Sequence, residues 1–196
     1  FSNVYKLPPA HYFTYKNGKM EKVRYWKPEF EPESGVLEYF ADLTDETVRE
    51  SVAAHKIADV EVGSFLSSGI DSSYIAEAAN VDKTFTVGFL SPDGDRYNEI
   101  NYAKDFADTI GVKHISKVIT PEEYWGEFPN IQYHMDEPLA DPAAVPLYFV
   151  SKLAAEHVKV VLSGEGADEL FGGYKIYAAP LACPKFNKIP LFLRRM

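Results

Sequence analysis

One stretch constrains the fold more than any other. Ser67-Ser68-Gly69-Ile70-Asp71-Ser72-Ser73 lies between an apolar run, Val60 to Leu66, and an alanine-rich segment, Tyr74 to Ala79. The run reads as a buried strand and the segment as a helix, so the hydroxyl cluster occupies a strand-to-helix turn. The first N–H groups of a helix have no intrahelical partner, and the macrodipole places partial positive charge there, so such a turn suits an anion. Serine hydroxyls add donors, and Gly69 lets backbone approach a ligand closely. Asp71 would repel a phosphate unless Mg²⁺ lay between them, which makes a metal-chelated polyphosphate the matching ligand. The competing account is an ordinary capped helix, but a cap needs one Ser or Asp and this turn holds several. A Walker P-loop is excluded, because no G-x-x-x-x-G-K-[ST] occurs in the chain.

The chain has 196 residues, enough for one large α/β domain or one domain with an attached piece. No apolar run approaches the ~18 residues that cross a bilayer, and no secretory leader is expected. A single cysteine, Cys183, excludes an internal disulfide and a multi-thiolate zinc site. The expectation is a cytoplasmic protein. A net charge of −9 argues against broad nucleic-acid or anionic-membrane binding. A polyphosphate ligand then needs local positive field from helix N-termini and Mg²⁺.

Residues 1 to 30 have their own character. His11 to Tyr15 and Lys22 to Trp26 are aromatic, β-favouring runs joined through Asn17-Gly18, a strong hairpin signal. Such a hairpin is marginal in isolation, so it reads as the tail of a β-rich domain, with Pro28, Pro32, Ser34 and Gly35 as a linker. From Val36 helices and strands alternate. Thr44 is expected to cap a helix running to about Ala58. Strands are expected to end at Leu66 and to cover 85–89, 112–119 and 158–162. Helices are expected over 99–110, from Pro121 to about Tyr133, and over 143–156. This predicts a doubly wound, Rossmann-like parallel sheet with ligands beyond the strand C-terminal ends. The same rule selects Ser163-Gly164-Glu165-Gly166-Ala167-Asp168-Glu169 after the fourth strand of that sheet. Its glycines mimic a dinucleotide fingerprint, but Glu169 stands where the third glycine belongs. Three carboxylates beside a pyrophosphate need metal, and Asp168 becomes a second ligand alongside Asp71.

The Ser-x-Gly-x-Asp-Ser turn together with Ser163-Gly164-Glu165-Gly166-Ala167-Asp168-Glu169-Leu170-Phe171-Gly172-Gly173-Tyr174 resembles the synthetase domain of glutamine-dependent asparagine synthetases, a member of the pyrophosphatase-loop, adenine nucleotide alpha hydrolase-like folds. Leu7-Pro8-Pro9-Ala10-His11 to Tyr25-Trp26 is similar to the last strands of that family's glutaminase domain. The resemblance implies a glutaminase-like tail over 1–31 and an ATP-binding synthetase domain over 36–196. It also implies adenylation of the aspartate side chain by Mg-ATP, followed by displacement of AMP by ammonia that a glutaminase domain releases from glutamine. By position, Ser67, Gly69, Asp71, Ser72 and Ser73 match the pyrophosphate loop, Leu66 and Val87 match adenosine contacts, and Ser163 and Gly164 match nucleotide contacts. Glu165 matches the acid tied to forming the intermediate, and Asp168 a metal or pyrophosphate contact. A homodimer is left open.

Three departures from the family pattern bear on expectation. Ser68 replaces a glycine, the family's C-terminal lysine has no counterpart before Met196, and the N-terminal nucleophilic cysteine is not matched by Cys183. The chain is therefore expected to be a truncated piece, inactive alone. Alternatives are a β-lactam-forming synthetase of the same fold and a nucleotide-binding module without chemistry. His114 and His134 are expected to be structural. Asp93, Asp95, Glu99, Asp136, Glu137 and Asp141 could touch metal or the substrate amine, and solvated loop acids are the expected account of most of them.

Overall fold

A computed structural model describes residues 2–90, 98–137, 140–178 and 190. The chain divides into two compact units, Phe1–Leu43 and Thr44–Met196. In the first unit, β1 (His11–Lys16) and β2 (Lys19–Arg24) form an antiparallel hairpin in the register His11↔Arg24 to Lys16↔Lys19. Asn17 and Gly18 turn it with φ of 52° and 75°. Both values are positive, as a tight two-residue hairpin turn requires.

Helix α1 (Leu37–His55) begins seven residues before Thr44, the start that sequence alone suggests. Pro32 and Gly35 are the last breakers ahead of it. The segment Leu37-Glu38-Tyr39-Phe40-Ala41 contains none, so the helix extends back to them and Thr44 falls in its interior.

The second unit contains β3 (Val62–Phe65), α2 (Ile70–Ala79), β4 (Lys83–Phe89), α3 (Ile100–Thr109), β5 (Lys113–Ile119), α4 (Pro121–His134), α5 (Ala144–Ala155), β6 (Val160–Leu162) and α6 (Ala167–Phe171), followed by a 3₁₀ turn, Lys175–Ala178. Its four strands are parallel in the order β5-β4-β3-β6. Successive strand side chains point to opposite faces. Val62 and Leu66 pack with Ala76 and Ala79 of α2, Ala103 and Ala107 of α3 and Val52 of α1. Phe65 and Phe85 face the other way, toward Val150 and Ala154 of α5, while Ile119 meets Ile131 of α4 and Val145 and Phe149 of α5. Helices thus cover both faces, the α/β architecture expected from the alternating pattern. Pro121 follows Thr120, whose hydroxyl accepts from the Glu123 amide while the Glu123 carboxylate accepts from the Thr120 amide, a complete capping box. Among the described residues, no helix is long and apolar enough to cross a membrane.

His114 on β5, expected to be structural, has a pH consequence. Its Nδ1 lies 3.0 Å from Thr84 Oγ1, and among the described residues its buried Nε2 has no hydrogen-bond partner. Burial lowers its pKa from the ordinary value, only partly countered by Asp108. The unfolded chain therefore takes up this proton first as pH falls below about 6.5. Stability is unaffected by this group above that pH and declines below it, by at most about 1.4 kcal/mol per pH unit. Urea titrations at pH 7.5 and 5.5 are expected to show a smaller difference for His114→Phe than for the parent. An equal difference would remove His114 as a source of acid sensitivity.

Candidate functional site

The chain moves outward from β3 through β4 to β5, then returns to place β6 on the other side of β3. Strand order reverses at the β3–β6 boundary, where open parallel sheets form a crevice beyond their carboxyl ends. Both hydroxyl- and glycine-rich turns leave the sheet there, one after β3 and one after β6. They touch. A Cβ built on Gly164 would stand 2.9 Å from the Ser72 amide nitrogen and 3.0 Å from the Asp71 carbonyl carbon, so only glycine admits this approach.

One cavity of about 350 Å³ is walled by both turns. Of the residues singled out from sequence, Leu66, Ser67, Gly69, Asp71, Ser72 and Val87 line it from the first side. Ser163, Gly164, Glu165 and Asp168 line it from the second. Ser73 is not in the wall, and its hydroxyl donates to the Gly69 carbonyl at 2.9 Å. Leu66 is buried, with its amide donating to Phe85 O and its carbonyl accepting from the Thr86 hydroxyl.

The serines shape the turn rather than cap the helix. Ser72 Oγ accepts from the Ser67 amide at 3.0 Å and lies 2.8 Å from Ser67 Oγ, which itself accepts from the Gly69 amide at 3.0 Å. The N-cap is Gly69, extended at φ −77°, and no described side chain caps α2. The α2 N-terminus is thus available to an anion. Ser68 is not among the positive-φ residues, so serine is tolerated where a glycine was the expected pattern.

Of the six loop acids that could touch metal or substrate, Glu99 lines the cavity, and its Oε2 accepts from the Ser68 amide at 3.2 Å. The available signal was topological, since β4 ends at the same sheet edge as β3 and β6 and α3 starts just beyond it. Tyr174 also lines the cavity, and its hydroxyl donates to Glu169 Oε1 at 2.8 Å. That bond raises its pKa to about 12.

A second cavity, of about 650 Å³, shares Ala143, Leu147 and Glu165 with the first. It is lined by His134, Tyr148 and Lys152 from α4 and α5, and by Asp141. Lys152 Nζ donates to Glu127 at 2.8 Å, and Asn130 and Tyr148 donate to the same carboxylate at 2.9 Å each. These donors, Lys152 first, hold the Glu127 carboxyl at about 2. His134 stacks on Tyr148, with ring centroids 6.4 Å apart. Asp141 Oδ1 accepts from the Ala143 amide at 2.9 Å ahead of α5, and Asp136 has φ +60° in the turn after α4. Asp93, Asp95 and Cys183 lie outside the described residues.

Among the described residues, no group of three His, Cys, Asp or Glu side chains could hold a metal ion alone. Asp71 and Asp168 on the wall of one cavity still fit Mg²⁺, which is commonly held by one or two carboxylates with substrate phosphates and water supplying the other oxygens. The open α2 N-terminus and the serine hydroxyls fit the phosphates that such an ion would accompany.

The description "Asparagine synthase" matches residues 43–196. The chain is 46% identical over 200 residues, all of its own length and 31% of the relative's, to glutamine-hydrolyzing asparagine synthetase 1 of Bacillus subtilis. It is 51% identical over 152 residues, 76% of its length and 23% of the relative's, to a putative glutamine-hydrolyzing asparagine synthetase of Mycobacterium bovis. A putative glutamine-hydrolyzing asparagine synthetase of Methanocaldococcus jannaschii is 31% identical over 206 residues, covering 99% of this chain and 38% of that protein. The chain therefore spans under two fifths of the length of these relatives, and by the extent of these matches it belongs to the asparagine synthase family.

Proposed function

We propose that this chain is the nucleotide-binding part of an ATP-dependent ligase that adenylates the side-chain carboxylate of aspartate and delivers the acyl group to ammonia. The observation that carries the reading is the meeting of two turns at the β3–β6 boundary, with Gly164 against Asp71 and Ser72 and both turns on one cavity. The family relatives carry glutamine-hydrolyzing asparagine synthetase in their names, which supports aspartate, glutamine-derived ammonia and a separate glutaminase region as partners. The hairpin of residues 11–24 is then the end of that glutaminase region, and the synthetase domain begins after the linker.

A carboxylate oxygen of aspartate attacks the α-phosphorus of ATP, the bond to the β-phosphate oxygen breaks, and pyrophosphate leaves with β-aspartyl-AMP formed. Ammonia then attacks the acyl carbon, AMP departs with the oxygen, and the amide nitrogen loses a proton. Joining two anions requires charge neutralisation and alignment more than covalent chemistry from the protein. Mg²⁺, when bound, supplies the neutralisation. Ser67, Ser72 and the α2 N-terminus hold phosphate oxygens, and Ser163 and Gly164 hold the nucleotide from the other side. Leu66 and Val87, with the apolar wall of Phe65 and Val150, take the adenosine. The second cavity gives the acceptor amino acid room beside Glu165. Lys152 has donors beyond the one used by Glu127, and these suit the acceptor's α-carboxylate.

Aspartate-dependent exchange of labelled pyrophosphate into ATP by the whole protein tests the reading. Exchange is expected in the parent and is expected to fall about 100-fold or more in Glu165→Ala, with nucleotide binding retained. Exchange at the parental rate in that variant would remove Glu165 from the chemistry. No exchange in the parent, with binding intact, would leave a nucleotide-binding module.

A further inference from the structure

The cavity described above is lined by five carboxylates, Asp71, Glu99, Glu165, Asp168 and Glu169, and by no described Lys, Arg or His. One of the five is already engaged with the turn that is offered to phosphate. Glu99 Oε2 accepts from the Ser68 amide at 3.2 Å. Its position is built in from the sheet. A Cβ on Gly88 of β4 would collide with Asn98 Oδ1, so glycine there lets Asn98 settle on the strand. Asn98 Oδ1 in turn accepts from the Ile100 amide at 3.1 Å, starting α3 with Glu99 directed at the β3–α2 turn.

We propose that Glu99 is a specificity-determining residue of the cradle: seated on the Ser68 amide, it disfavours polyphosphate that arrives without a divalent cation and admits polyphosphate that arrives with one. The inference rests on the nucleotide reading above. A metal-free polyphosphate that takes the Ser68 amide must displace a like-charged group that remains on the wall of the same cavity, beside four further carboxylates. A cation-bound polyphosphate presents positive charge to that same carboxylate, and the penalty is cancelled. Glutamine at this position keeps an oxygen to accept from the Ser68 amide while removing the charge.

Calorimetric titration of the intact protein with pyrophosphate, in EDTA and in excess Mg²⁺, tests this. In Glu99→Gln the metal-free affinity is expected to rise about tenfold, and the ratio of Mg²⁺-bound to metal-free affinity to shrink by about the same factor. Glu99→Ala, which removes charge and acceptor together, is expected to gain metal-free affinity as well. If the magnesium complex binds all three proteins but neither variant gains metal-free affinity, the role of Glu99 is overturned and the nucleotide reading stands. If pyrophosphate binds none of them in either condition, both fall together.

Discussion

Asp71→Asn is expected to weaken binding of a magnesium-loaded, non-hydrolysable ATP analogue about 100-fold, roughly 2.7 kcal/mol, while the protein stays folded. The sign of this effect is the informative part. Asp71 sits in the first turn of α2 and lines the cavity beside Ser67 and Ser72. A carboxylate there that merely stabilised the helix N-terminus would be worth about 0.3–1 kcal/mol to folding, and its loss would make room for an anion to bind more tightly. A carboxylate that coordinates the accompanying cation has the opposite effect on the loaded nucleotide, because asparagine offers only a neutral oxygen. Calorimetry in excess Mg²⁺ separates the two, and unchanged or tighter binding would contradict a metal role for Asp71. The contrast with Glu99 sharpens the test, since removing that charge is expected to act on the metal-free ligand.

The positions of both turns were legible because their cause is local. An apolar run followed by Ser, Gly and Asp before an alanine-rich segment can be read within a dozen residues, and the rule that ligands sit beyond parallel strand ends needs only strand direction. What the sequence could not supply was adjacency. β3 and β6 pair Ser64 with Leu162, 98 positions apart, and nothing in either strand names the other as its neighbour. Thr44 misled because a good capping residue competes with the absence of any breaker upstream, and helix propensity from Leu37 onward prevailed. Sequence alone does not separate Glu99 from the other loop acids, since an acid near a loop usually meets solvent, and its placement depends on the Gly88–Asn98 contact. The Glu127–Lys152–Tyr148 cluster joins α4 to α5 across 21 and 25 positions, beyond the three- and four-residue spacings by which helical partners are recognised from sequence.

Gly164→Ala is expected to lower nucleotide affinity by about 100-fold or more, and the reason lies in what its methyl group would meet. The nearest atoms, at 2.9 and 3.0 Å, are the Ser72 amide nitrogen and the Asp71 carbonyl carbon, with Asp71 Cβ at 3.1 Å. Two of the three are backbone of the first turn of α2, so no side-chain rotation relieves the overlap and the two turns must separate. Separation leaves each turn able to fold, because Ser67, Gly69 and Ser72 bond within their own segment and the Ala167 amide donates to Gly164 O. The cost to stability is therefore expected near the ordinary range for a loop substitution, about 1 kcal/mol. Binding is more sensitive than folding here, since a nucleotide gripped from both turns loses the donors of one when they part, and two hydrogen bonds to charged groups are worth about 3 kcal/mol. Gly126→Ala supplies the control. It lies in α4, a Cβ there meets nothing within 4 Å, and alanine is favoured over glycine in a helix by about 0.5–1 kcal/mol. That variant is expected to gain stability in urea titrations and to bind like the parent. If Gly164→Ala also bound like the parent, the two turns would not form one cradle, and the adenylation reading would lose the observation on which it rests.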